Sequence, residues 1–171
     1  MSNYNKSRFY REPPYLLRAS KTFTGAANLG ATGVNELFTT TGAVLIEGFW
    51  VRCTSDLVDA VDGALFRLGI TGNDGFFTGA VYEGVFDLDT IDAGMGLNPN
   101  NSEAVVGYSR GTKEGAATGD YEPGGITALF ANIIMTISTQ AITGGTLAFY
   151  ILYRPLSSDG ALSLGAGMVQ I

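Results

Sequence analysis

Chemistry in this 171-residue chain would fall to its carboxylates, because histidine is absent and cysteine occurs once. Without histidine there is no Ser-His-Asp or Cys-His triad, no imidazole base and no His-based metal site. Cys53 alone cannot form a disulfide within the chain or build a thiolate zinc site. It sits in an apolar run and reads as a small buried hydrophobe. No P-loop or Gly-rich nucleotide fingerprint falls between a strand and a helix. Asp56, Asp59 and Asp62 crowd one segment, and Asp87, Asp89 and Asp92 another. A pair of acids could hydrolyse a glycosidic bond, and a cluster could hold structural calcium. In DLDTIDAG, however, the third acid comes one place late for the alternate-residue ladder of an EF-hand loop. Acidic turns are ordinary on a chain of net charge −6. The sequence therefore predicts solvated loops, no cofactor and no enzyme.

Positive charge gathers at the start of the chain. Residues 1–22 contain Lys6, Arg8, Arg11, Arg18 and Lys21 against the single acid Glu12, whereas the rest is strongly acidic. Tyr4, Phe9, Tyr10 and Tyr15 are interleaved with these cations, and Pro13–Pro14 blocks a helix at the centre. Aromatics beside arginine, without helical or strand periodicity, suit a segment that orders against a partner. The reading is a basic, non-regular N-terminal arm over 1–22 that binds through Arg8, Phe9, Tyr10, Arg11, Tyr15 and Arg18. The alternative is a frayed tail.

Residues 23–171 must then supply one folded domain, and their pattern is that of strands. The run AVLIEGFWVRC from Ala43 to Cys53 is rich in β-branched and aromatic residues, which predicts a strand covered on both faces with Trp50 in the core. In ALFRLGI, Ala64, Phe66, Leu68 and Ile70 share one face. FFTGAVYEGVFDL reads as a strand pair or a strand bulged at Gly79 and Gly84. Residues 92–125 are rich in Gly, Asn and Pro and predict long loops around one short strand, EAVVGY. ALFANIIMTISTQ places Ile133, Met135 and Ile137 on one face. TLAFYILYRP alternates Leu147, Phe149, Ile151 and Tyr153 with Ala148, Tyr150, Leu152 and Arg154. The Thr143–Gly145 turn between these two runs predicts a hairpin. Pro155 ends its second strand, and ALSLGAGMVQI adds one more. The sum is an all-β, single jelly-roll-like β-sandwich of about eight strands, with a closed barrel as the second choice.

Composition narrows the partners. The charged fraction is 15% and glycines number 24, so much of the surface is expected to lie against other protein. Net negative charge argues against nucleic acid. No run approaches the 18 apolar residues of a membrane span, and no apolar stretch of signal-peptide length opens the chain. A reducing cytoplasm is the expected place of folding.

The runs NELFTTTGAVLIEGFWVRCTSDL, ALFRLGITGN and ALFANIIMTISTQAITGGTLAFYILYRPLSSDG together resemble small virion proteins of tailed bacteriophages, chiefly capsid decoration or cement proteins. The closing segment carries most of the likeness: an apolar strand, a small-residue turn, an aromatic strand, then Tyr153-Arg154-Pro155-Leu156-Ser157 and a Ser-Asp-Gly turn. The likeness spans residues 34–160. It implies a jelly-roll body, a homotrimer, and attachment to a major capsid protein or another virion protein on the capsid exterior after synthesis in the host cytoplasm. It carries no catalytic residue, and the arm falls outside it. The alternative is the receptor- or glycan-binding head of a fibre or spike, with Tyr82, Tyr108 and Tyr121 as stacking candidates in or near the loops.

Overall fold

A computed structural model describes residues 13–61, 63–74, 86–87, 93–94, 96–97 and 127–171. Eleven strands are found among them: β1 (Tyr15–Thr22), β2 (Gly33–Thr41), β3 (Val44–Asp59), β4 (Leu65–Ile70), β5 (Phe86–Asp87), β6 (Gly96–Leu97), β7 (Thr127–Leu129), β8 (Ile133–Ser138), β9 (Ile142–Pro155), β10 (Ala161–Leu164) and β11 (Met168–Gln170). One sheet runs β11-β1-β9-β3, with β6 and β7 both on the far edge of the long β3; the other runs β10-β2-β8-β4-β5. Every pairing between these strands is antiparallel.

The chain is an all-β sandwich. The pairings are nested along the sequence: β1 with β9, β2 with β8, β3 with β6 and β7, and β4 with β5. Alternation turns one row of apolar residues inward from each sheet. Phe38 and Phe66 come from one sheet, and Phe49, Phe149 and Ile151 from the other. Phe149 stacks on Phe49 (centroids 6.4 Å apart, 23° between planes) and meets Phe38 edge-on (6.4 Å, 80°). Each such side chain contributes roughly 1.5–3 kcal/mol by leaving water. Cys53 is buried in this core, as its apolar run predicts.

The irregular arm expected over 1–22 does not include its last eight residues. Tyr15–Thr22 is not irregular: it forms β1, paired along its whole length with β9 and at one end with β11. The proline pair blocks a helix but leaves the extended chain after it free to join a sheet. Lys21, counted above among the cations of the arm, is completely buried. Its ammonium donates to the carbonyls of Asn28 (2.7 Å), Glu36 (2.9 Å) and Ala166 (2.9 Å). It thereby ties β1 to the segment before β2, to β2 itself and to the turn between β10 and β11.

The expected hairpin is also replaced. β8 and β9 lie in different sheets, and the chain crosses between them at 139–141, where Thr139 takes φ 68°. Gly144 and Gly145 sit inside β9, opposite a stretch of β3 where the register shifts. Gly145 takes φ 91° there, and a Cβ on it would run into the Asp56 carbonyl. The glycines therefore serve a bulge and a close backbone approach, not a two-strand turn. The run ALFANIIMTISTQ likewise splits: β7 joins one sheet and β8 the other. Ala131 and Asn132 fasten the crossing by accepting from the Thr40 hydroxyl (2.8 Å) and the Thr40 amide (3.0 Å). The tail ALSLGAGMVQI makes two strands in different sheets instead of one.

Candidate partner-binding surface

The outer face of the β11-β1-β9-β3 sheet begins with a bulge. Between Ile46 and Gly48 the pairing of β3 with β9 slips by one residue, leaving Glu47 as the extra residue. Val44 and Ile46 point inward before it, and Phe49, Val51 and Cys53 after it. The parity switch turns Trp50 and Arg52 outward. Trp50 is therefore half-buried on the outer face and not in the core, and the outer side of β3 is only partly covered. A Cβ at Gly48 would run into the indole, so the ring lies back over the Gly48 backbone. Gly48→Ala should push it into water. Trp50 is the only tryptophan, so a red shift of its emission, with the melting transition little moved, is the expected result.

Strand pairing assembles the rest in rows. Arg18, Tyr150 and Trp50 stand side by side across β1, β9 and β3. Adjacent strands lie about 4.8 Å apart. Leu16 and Leu152 flank that row on one side, and Ser20, Ala148 and Arg52 on the other. At the edge, Val169 pairs with Ser20, and the Ile171 amide donates to the Arg18 carbonyl at 3.4 Å. Leu16, Val169 and Ile171 are 46%, 64% and 57% exposed, so the β1–β11 side of the face is open aliphatic surface.

The described arginines differ in their partners. Arg67 pairs with Asp74 at 3.7 Å and Arg154 with Glu47 at 2.5 Å. Arg18 and Arg52 are exposed, and among the described residues neither has a carboxylate within salt-bridge distance. Lys21 is buried, so these two are the described cations that face solvent without an acid. The hydroxyls at the far end of the face are engaged with one another and with backbone: Thr22 with Thr146 (3.0 Å), and Thr54 with the Thr146 carbonyl (3.1 Å).

Of the residues expected to bind a partner, Arg18 lies on this face. Tyr15 begins β1, stacked on Tyr153 with centroids 5.6 Å apart. Arg8, Phe9, Tyr10 and Arg11 lie outside the described residues. The sequence reading missed Trp50, Arg52 and Tyr150 as members of one surface. The alternation around Tyr150 gave its parity, but the bulge hid that of Trp50.

The acids are placed differently. Asp56 accepts from the Ala93 amide (2.6 Å) and Asp59 from the Ala64 amide (2.9 Å), so both fasten backbone turns. Among the described residues no three Asp, Glu, Cys or His side chains gather as metal ligands. Asp62, Asp89 and Asp92, the expected strand run FFTGAVYEGVFDL of 76–88 apart from Phe86–Asp87 (β5), the short strand EAVVGY, and the stacking candidates Tyr82, Tyr108 and Tyr121 lie outside the described residues. So do the loops of 92–125, apart from 93–94 and 96–97. No family model, curated protein or solved structure matches the chain.

Proposed function

We propose that the chain is a jelly-roll structural protein of a tailed-phage particle, decorating or cementing the capsid through protein–protein contacts. The nested strand pairing carries this reading. A jelly roll is an antiparallel ribbon wound across two sheets, with its two halves paired from the ends toward the middle. The pairs β1–β9, β2–β8, β3 with β6 and β7, and β4–β5 follow that order, alternating between the sheets. β10 and β11 add one further strand to the open edge of each sheet. A fold alone names no function. The resemblance of residues 34–160 to decoration proteins adds the particle, and the open apolar face with two arginines that no described carboxylate pairs adds a surface fit for docking.

The test is particle association. Tagged protein mixed with heads lacking it should pellet with them and appear on the capsid exterior in micrographs of gold-labelled particles. The free protein should sediment as a trimer at micromolar concentration. Protein that stays in the supernatant with heads of its own phage would count against the virion role.

A further inference from the structure

We infer that the outer face of the β11-β1-β9-β3 sheet docks an acidic, partly apolar surface of a second protein, with Arg18 and Arg52 as its ionic anchors and Leu16, Val169 and Ile171 as its apolar ones. In naming that partner a particle protein, the inference rests on the proposed virion role.

Complementarity selects the occupant. Two arginines project from this face with no carboxylate of the described residues within salt-bridge distance, beside an Arg154–Glu47 pair that is already neutralised, on a chain whose net charge is −6. A second copy docked face to face would set this positively charged patch against itself, because a two-fold interface repeats the same patch on both sides. Nucleic acid is a poor match, since two cations on an acidic body give a small phosphate footprint. A sugar is a poor match for different reasons. The Trp50 and Tyr150 rings are half-buried, which leaves little ring face for stacking, and the nearby threonine hydroxyls are already bonded. Aliphatic side chains beside exposed guanidinium groups are what an acidic protein surface with its own apolar residues would cover. Arginine there supplies planar, bidentate recognition of carboxylates.

Trp50, inside the patch, is its own reporter. The full chain is titrated with a synthetic peptide of alternating Glu and Leu, in parallel with a Lys-Leu peptide and a heparin oligosaccharide, at low and high salt. The expected result is a saturable shift of Trp50 emission with the Glu-Leu peptide that weakens as salt screens the charges. The Lys-Leu peptide should give none. The double variant R18E/R52E should bind the Glu-Leu peptide at least roughly tenfold more weakly. Both arginines are exposed, so its circular dichroism and melting should match wild type, and the comparison stays interpretable. No shift with the Glu-Leu peptide, equal binding by the double variant, or a response to heparin alone would each overturn the inference. Pelleting with heads separates this outcome from the virion role. If wild type and double variant both pellet, another surface makes the attachment and the virion reading stands. If neither pellets, the virion reading falls and the peptide titration still decides the face.

Discussion

Lys21→Met is expected to lower the melting temperature by roughly 10 °C, although methionine matches lysine in length and suits an apolar interior. The ammonium is fully buried and donates to the carbonyls of Asn28, Glu36 and Ala166. Methionine can donate to none of them. Each buried acceptor left without a partner costs about 1–3 kcal/mol, and removing a buried charge with its own desolvation penalty offsets part of that sum. A net loss of about 3 kcal/mol corresponds to roughly 10 °C for a chain of this length. The three carbonyls belong to segments far apart in sequence, so the loss should also loosen the stretch before β2 and the β10–β11 turn. Faster amide exchange in those two segments, with β4 and β8 unaffected, would locate the damage.

The same lysine gives stability a pH dependence of known sign. Burial lowers its pKa from 10.5 to about 8, with the nearby Glu36 carboxylate opposing the shift. Between those values the unfolded chain holds more protons on this group than the folded one. Stability therefore rises with pH across the window, and the full destabilising effect of the buried charge lies below it. The methionine variant lacks this dependence. Its deficit relative to wild type should widen on going from about pH 7 to about pH 10, read by urea denaturation of both proteins. A constant deficit would mean that the three carbonyls, which favour the charged form, cancel the effect of burial.

What could be read from the sequence follows from the range of the interactions involved. The inward rows of β4, β8 and β9 are legible because a two-residue period is local: Phe66 and Leu68, Ile133 and Met135, and Leu147 and Phe149 all point into the core. The end of β9 at Pro155 is legible for the same reason. The role of Lys21 is not, because a lysine reads as solvated until Ala166, 145 residues away, is brought beside it. Trp50 is misplaced by one extra residue, Glu47, whose bulge exists only in the pairing with β9. Arg18 is legible as an exposed cation. Its place in a row with Tyr150 and Trp50 depends on the order β1-β9-β3, which no local pattern encodes. The acids of 56–62 looked like a cluster because spacing shows proximity along the chain, whereas Asp56 and Asp59 fasten different backbone amides.

Gly145→Ala should cost about 3 kcal/mol or more, while Gly144→Ala, one residue earlier, should cost less than about 1 kcal/mol. Had the two glycines formed the tip of a hairpin, they would lie at a solvent-exposed turn and a methyl group could be accommodated at modest strain. Inside β9 their positions are not equivalent. Gly145 takes φ 91°, a region that disfavours any residue with a Cβ by roughly 1–2 kcal/mol. A methyl group there would also meet the Asp56 carbonyl and the Leu57 Cα, backbone atoms that cannot turn aside as a side chain can. Relief would require β3 and β9 to separate at their bulged crossing, and it would strain the 3.0 Å bond from the Phe23 amide to the Gly145 carbonyl. Gly144 has no positive φ, and a Cβ on it would lie 3.3 Å from the Val58 Cβ, a contact that a small side-chain shift relaxes. Thermal melts of the two variants should therefore differ by several degrees, on the scale of roughly 2–4 °C per kcal/mol. Equal and small losses would return these glycines to the turn that their sequence suggests, and with it the direct pairing of β8 and β9 that the sandwich order excludes.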